Sequence, residues 1–463
     1  MYRFLSTKML QWKERANRHP LILRGARLVG KTYLVRELAQ SSFAHFIEVN
    51  FEADATLPSF FSSKDPAVIC ELLSAKYSVP VVDGQTLLFL DELQAAPPFV
   101  LESLRYCYEK RPGLHVIAAG SLLEFLLEQS VPDTARRFPM PVGRVEYMYV
   151  PPLHFEEFLL AGKQSGLVDW LGGYHLGTPM PEGLHRELSQ WLRRYLAVGG
   201  MPAVAQAYFD GDIAAAQREQ QLLLSTYHDD FPKYGRRASP ALLQKLFLAV
   251  PAMLGHKLVY SHVDAAAKSR ELSEAFNRLC QARVVAKVRH TPANGVPIGF
   301  GADSTTFKPL FLDVGLACRA LGLNLADFVL DDTALLENRG ELCEQFIGQH
   351  LLYAGEEYEE PAAYYWQREA RGASAEVDYI VQAGNEVIPV EVKSGRTGSL
   401  KGLHVFLNEK QRSFAVRFNA DTPSLLENVR LKDVKGRECS FTLLSLPLYL
   451  VGQLTRLLRE RTA

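Results

Sequence analysis

Residues 20–40 read PLILRGARLVGKTYLVRELAQ. PLILR is a short apolar run of the buried-strand kind, and TYLVRELAQ has the spacing of a helix. Between them GARLVGKT (25–32) has the pattern G-x-x-x-x-G-K-[ST]. Gly25 and Gly30 let the backbone wrap a chain of phosphates, and the loop through Ala26, Arg27, Leu28 and Val29 presents its N–H groups to them. Lys31 then reaches the β- and γ-phosphates, Thr32 holds Mg²⁺, and the helix N-terminus adds its dipole. The stretch predicts an ATP site with Mg²⁺.

The flanking sequence extends the same pattern. AHFIEVNF (44–51), TLLFLDEL (86–93) and HVIAAGS (115–121) are further apolar runs separated by helix-like segments such as VLESLRYCYEK (100–110). Strand alternating with helix predicts a doubly wound α/β domain over residues 1–160. LLFLDE (87–92) ends a buried strand with two acids. Asp91 is expected to face the metal and Glu92 an attacking water, as general base. Ser121 follows HVIAAG where a polar sensor of the γ-phosphate would sit, and equally where a serine would cap the next helix. Asn50 ends its strand close to where Glu92 would lie and reads chiefly as a turn former. Arg144, in PVGRVE (141–146), is the residue type that stabilises charge on a transferring phosphoryl group, or else belongs to a solvated charged loop.

The whole chain has 463 residues, enough for two to four domains. Lys+Arg 51 against Asp+Glu 52 leaves a net charge of -1, so no global basic field points to nucleic acid. Its six cysteines (Cys70, Cys107, Cys280, Cys318, Cys343, Cys439) are widely spaced, which reads as reduced thiols and not a disulfide framework or zinc site. MYRFLSTKMLQWKERANRH lacks the apolar core of a signal peptide, and no run approaches a membrane span. A cytoplasmic protein without a membrane partner is expected.

Residues 161–235 turn helical, interrupted by GGMP (199–202). Residues 236–298 read as three helices and an apolar tail, VVAKVRH (284–290), the order of a winged-helix-like module. Arg270, Arg278, Arg283, Lys287 and Arg289 make it basic, suited to phosphates or simply to a charged solvent face. In residues 299–463, AEVDYIVQAGNEVIPVEVKSG (375–395) has the alternation of a hairpin turning at Gly384-Asn385. Asp378, Glu391 and Lys393 share the face opposite Val377, Tyr379, Ile388 and Val390. Two carboxylates that bind Mg²⁺ and a lysine that steadies a phosphate are what phosphodiester hydrolysis needs. The plainer alternative is a solvated face with cross-strand ion pairs. Glu344 falls in an apolar helical stripe with Ile347 and Leu351, where a carboxylate needs a partner. Trp366 reads as sheet packing.

The ordered set PLILRGARLVGKT, LLFLDELQ, AAGS, PVGRVEYMYVPPLHFEEF, GGMP, LCQARVVAKV, GELCEQFIGQHLL and AEVDYIV…VIPVEVKSG resembles the prokaryotic AAA+ ATPases that carry a C-terminal domain of unknown function. The resemblance implies that Arg144 is an arginine finger and that Pro202 packs on the adenine. Leu28 departs from it, since the family usually has glutamine there. The hairpin with its upstream Glu344 resembles PD-(D/E)XK nucleases. Together these imply a P-loop AAA+ core, a helical lid, a winged-helix-like middle module and a restriction-endonuclease-like α/β domain. The implied function is an ATPase coupled to a DNA- or RNA-directed domain in defence or genome maintenance, working as a homo-oligomer. The alternative is a signalling or assembly ATPase whose C-terminal domain is an inactive platform.

Overall fold

The apolar runs around the phosphate loop become strands buried on both faces. The computed structural model describes residues 1–120, 125, 143–234, 238–326, 340–368, 375–395, 399–432 and 438–462. Strands β1 (Leu21–Arg24), β2 (His45–Asn50), β3 (Thr86–Asp91), β4 (His115–Ala119) and β5 (Glu146–Tyr149) form a parallel sheet in the order β2-β3-β4-β1-β5. Every position of β3 and β4 is buried, because helices cover both faces. The two-residue period sorts the side chains. Leu21, Leu23, Leu87, Phe89 and Ile117 pack with helices α1 (Phe4–Glu14) and α2 (Lys31–Ser42). Ile22, Leu88, Leu90 and Val116 pack with α3 (Pro66–Tyr77) and α4 (Pro98–Lys110).

Helices α5 (Phe155–Ala161), α6 (Ser165–Gly173), α7 (Glu182–Val198), α8 (Pro202–Phe209) and α9 (Ile213–Asp230) follow, then α10 (Pro240–Ala249), α11 (Tyr260–Val263) and α12 (Ser269–Gln281). No described helix is long and apolar enough to cross a membrane. A second, mixed sheet takes β6 (Val285–His290), β7 (Asp303–Phe311), β8 (Ala363–Gln367), β9 (Glu376–Ala383), β10 (Glu386–Val392), β11 (Phe414–Asn419), β12 (Ser424–Lys432) and β13 (Glu438–Pro447). Their order is β12-β13-β11-β10-β9-β8-β6-β7. Helices α13 (Val314–Ala320) and α14 (Gly340–Leu352) pack on one side of it, and α15 (Lys401–Lys410) on the other, with α16 (Leu454–Thr462) closing the described chain. Trp366 packs edge-on against Phe406 of α15, at 5.1 Å between rings.

The line drawn at 298/299 runs through the β6–β7 hairpin. The apolar tail of the middle module is strand β6, paired antiparallel to β7 and parallel to β8, so it belongs to the second sheet. The parallel partner lies 75 residues downstream, where no local periodicity can announce it. One hydrophobic core runs from Met9 through α7, α9 and α14 to Leu458, joining the ATP-loop sheet to the second sheet.

Buried polar bonds cross the same junction. Asp313 has no exposed surface; its carboxylate accepts from Gly200 N at 2.6 Å and Leu316 N at 3.0 Å. Burial pushes this carboxyl up to about 6 against those bonds. Gly199 has φ +81, and a Cβ there would overlap the Asp313 carboxylate. Tyr195 OH donates to Leu153 O (2.6 Å) and accepts from Gln349 Nε2 (2.9 Å), whose amide oxygen takes Val314 N (3.0 Å).

His350 of α14 accepts Phe155 N on Nε2 at 3.0 Å and donates from Nδ1 to Phe346 O at 2.8 Å, which fixes the neutral ring. Burial, with His154 beside it, pushes this histidine down to about 3, against about 6.5 in the unfolded chain. The unfolded state therefore binds the extra proton first, and stability is lost as pH falls below about 6.5, by at most ~1.4 kcal/mol per pH unit from this residue. His350→Gln should flatten the fall in melting temperature between pH 7 and pH 5 relative to wild type. Equal acid sensitivity of the two proteins would show that His350 is not a source of it.

Candidate functional site

The phosphate loop leaves the C-terminal end of β1 and enters α2 with Gly30 at φ +96, a left-handed conformation that suits glycine. Leu28 is 48 % exposed, so its side chain faces away from the loop. Lys31 is buried, and its Nζ donates back to Gly25 O at 3.0 Å and Ala26 O at 2.7 Å. Burial pulls its ammonium down to about 8, opposed by Glu92 and Asp91. Thr32 Oγ1 donates to Asp91 Oδ2 at 3.1 Å, while burial and then Glu92 raise the Asp91 carboxyl. A hydroxyl and a carboxylate this close form a hard, all-oxygen donor pair of the kind Mg²⁺ takes together with phosphate oxygens. These residues fit the ion.

Glu92 follows in the left-handed region, at φ +50, with its N–H donating to Asp91 Oδ1 at 3.0 Å. Gln94, which the sequence reading passed over, donates Nε2 to Glu92 Oε2. The Gln94 oxygen is buried without a hydrogen-bond partner, and a Cβ on Gly120 would overlap it. Asn50 accepts from the N–H groups of Glu52 and Ala53, both at 3.0 Å, and so shapes its own turn. Ser121 lies outside the described residues.

The loop is braced from the N-terminus and from the helical region. Arg3, 2 % exposed, donates to Val29 O at 2.9 Å and Pro151 O at 2.7 Å and pairs with Glu157 at 3.1 Å. Arg27 donates to both oxygens of Asp230 at 2.7 Å, and Tyr227 OH donates to Arg27 O at 2.6 Å, which seats α9 over the loop. Pro202 comes beside Gly30, with its Cγ 3.6 Å from where a Cβ would stand. Arg144 is elsewhere. It precedes β5, whose first residue is level with Leu21, so it sits at the end of the strands opposite the loop. There it pairs with Glu109 at 2.9 Å.

A second constellation forms in the C-terminal sheet. The register Val390↔Tyr379 brings Asp378 beside Glu391. Asp378 Oδ2 accepts Val392 N at 2.8 Å, and Lys393 Nζ pairs with Glu391 Oε1 at 2.6 Å. Glu391 is buried, so this is not a solvated strand face; burial and then Asp378 push its carboxyl up to about 7, and its second oxygen has no partner. Glu344 lies on the same side, with burial pushing its carboxyl up and Lys308 beside it holding it down. Lys308 of β7 was not anticipated. It pairs with Glu344 at 2.8 Å, Glu376 at 2.5 Å and Asp378 at 3.8 Å. Nothing in the sequence distinguishes it from a surface lysine.

Three of the basic residues of the middle module are engaged inside the fold. Arg278 donates to Gln281 at 2.9 Å, Arg283 lies 4.7 Å from the Tyr149 ring, and Lys287 donates to Asn277 at 2.7 Å and lies 4.5 Å from the Phe307 ring.

Residues 17–159 match the family model described as an AAA domain. Residues 189–327 and 339–434 match two models described as domains of unknown function, DUF8612 and DUF4143. No curated protein matches the chain. Among solved structures the chain is similar to the Walker-type ATPase PABY2304 of Pyrococcus abyssi, with 16% identity, 68% of this chain and 94% of that chain covered, and a TM-score of 0.43. It is also similar to C. elegans PCH-2 (13% identity, 41% of this chain, 54% of that chain, TM-score 0.21). A third is the Signal Transduction ATPase with Numerous Domains (STAND) protein PH0952 from Pyrococcus horikoshii, which has a tetratricopeptide repeat sensor (11% identity, 74% of this chain, 44% of that chain, TM-score 0.22). Overlaps this loose carry no weight beside the geometry. The parallel sheet and the phosphate loop at the end of β1 agree with the match of residues 17–159 to an AAA domain.

Proposed function

We propose that the protein is an ATP-hydrolysing switch that works as an assembly of identical chains and whose C-terminal domain serves as a binding platform. The observation that supports this reading is the Gly200–Asp313 hydrogen bond, buried between the GGMP turn and the start of α13. Pro202 of the same turn stands beside Gly30 of the phosphate loop. A nucleotide that shifts this turn must break or drag a bond anchored in the second sheet's side of the molecule.

In this reading the N–H groups of residues 25–30 and Lys31 hold the phosphates, and Pro202 borders the base. Mg²⁺, held by Thr32 and Asp91, supplies charge neutralisation on the phosphate oxygens when bound. Glu92 takes the proton of the attacking water, and Gln94 keeps its carboxylate aimed. Arg144 lies at the end of the strands away from its own loop, paired with Glu109, so the finger role that the resemblance implies is assigned to the γ-phosphate of a neighbouring chain.

Lys31→Ala should abolish ATP binding in a direct binding assay. Glu92→Gln should keep binding and lose turnover by ~10²–10⁴-fold, since the amide accepts no proton. Gln94→Ala should lower kcat by up to roughly 10²-fold with little change in KM, through a misaimed base. Equal kcat for wild type and Glu92→Gln would remove Glu92 from its role.

Turnover per chain should rise with protein concentration, and Arg144→Ala should lower it by ~10³-fold or more. Lys31→Ala chains, which retain Arg144, should rescue dilute wild-type chains. Concentration-independent turnover would exclude an arginine shared between chains. Stimulation of turnover by DNA or RNA would identify nucleic acid as the platform's partner.

A further inference from the structure

A cluster of carboxylates drawn from a helix and a hairpin needs positive charge at its centre. In this chain the centre is filled by the protein itself. Lys308 leaves β7 and is 2 % exposed, and it meets carboxylate oxygens from two other elements: Glu344 of α14 at 2.8 Å, Glu376 of β9 at 2.5 Å and Asp378 of β9 at 3.8 Å. Its stem approaches the cluster past the Tyr365 ring, 5.4 Å from the ammonium. Burial alone would depress this ammonium, but Glu344, Asp378 and Glu376 together raise it well above its ordinary value.

Two of the remaining oxygens are also engaged, and the buried Glu391 Oε2, which has no hydrogen-bond partner, is a single oxygen and not the set a divalent ion needs. Asp378 Oδ2 accepts Val392 N, and Glu391 Oε1 is bound by Lys393. Mg²⁺ requires several oxygens at about 2.0–2.1 Å, and Ca²⁺ six to eight at about 2.3–2.6 Å. Nζ of Lys308 stands 2.8 Å from Glu344 Oε1 and 3.8 Å from Asp378 Oδ1, two of the carboxylates such an ion would use. An ion placed there would meet the ammonium both sterically and as a like charge. Among the described residues, no group of three or more His, Cys, Asp or Glu is disposed to hold a metal. The resemblance to metal-dependent nucleases implies an ion that these residues, as arranged, do not fit.

We propose that Lys308 is the resident cation of this cluster, occupying the place between Glu344, Glu376 and Asp378 that a divalent metal fills in a hydrolytic site. The C-terminal domain then has a built-in counter-ion and binds no hydrolytic metal. The same ammonium ties β7, and so the hairpin after α12, to α14 and β9. It is a structural hub where the sequence pattern suggests a catalytic centre.

The test uses full-length protein without nucleotide, in the Lys31→Ala background, so that the ATP site contributes little metal binding. Free Mn²⁺ is read by electron paramagnetic resonance during titration to millimolar concentration. No Mn²⁺ that depends on Asp378 is expected; a stoichiometric ion lost on Asp378→Ala would overturn the proposal. Lys308→Met in the same background should melt lower at pH 7 in metal-free buffer, and Mn²⁺ should restore part of the loss by entering the vacated position. An unchanged melting temperature in Lys308→Met would show that the ammonium is not the counter-ion. Should Lys308→Met not fold, the double variant Lys308→Met/Glu344→Gln, which removes one charge of each sign, is expected to fold. Its failure to fold would show that packing, and not charge, is what Lys308 supplies.

Discussion

Asp313 has no exposed surface, and a carboxylate in that position must be held by donors. Its donors come from Gly200 and Leu316, so the requirement to satisfy one buried charge locks the GGMP turn onto the start of α13. The two glycines are needed because a side chain at Gly199 would enter the carboxylate and one at Gly200 would enter Leu153 O. The bond from Leu153 N to Gly200 O, at 2.7 Å, continues the connection to the segment that follows β5. Through these few bonds, the strand beside the phosphate loop and the helices of the second sheet share one framework. The continuous core from Met9 to Leu458 turns that framework into a rigid one.

The phosphate loop depends on the same principle at its other side. Arg3 is buried with its guanidinium divided between Val29 O, Pro151 O and Glu157. A charge removed from water is tolerated because every bond it makes is to a fixed partner, one of them charged. The result is that Arg3, at the start of α1, braces from outside a loop that Lys31 ties within. Arg27 and Asp230 do the same from α9, with one guanidinium nitrogen shared between both carboxylate oxygens. A nucleotide entering this site therefore meets a loop coupled to the N-terminus and to the helical region at once.

The two acidic centres of the molecule differ in how their charge is managed. At the phosphate loop Asp91 and Glu92 stand near Lys31, and the partners they hold in this structure are a hydroxyl, a backbone N–H and an amide. That leaves oxygens for a hydrated ion. In the C-terminal sheet the carboxylates close directly on Lys308 and Lys393, whose charges oppose the upward push of burial on Glu344 and Glu391. Similar residue types thus leave oxygens open to an ion in one place and form a salt-bridged core in the other. The difference is set by which cation the tertiary fold delivers.

The phosphate loop, the acidic end of β3 and the 376–392 hairpin were legible because their chemistry is written in contiguous residues, where strand, turn and helix periodicities fix which side chains are neighbours. Sequence also placed Glu344 in a stripe that demands a partner. It did not show that the partner is Lys308, 36 residues away, or that Gly200 reaches Asp313 across 113 residues and Arg3 reaches Glu157 across 154. It missed the pairing of β6 with β8 for the same reason. A lysine, an aspartate or an edge strand has the same local pattern whether it meets water or another segment. Only closure of the chain, which brings distant residues into a shared dry interior, decides which of these groups carry charge and which neutralise it.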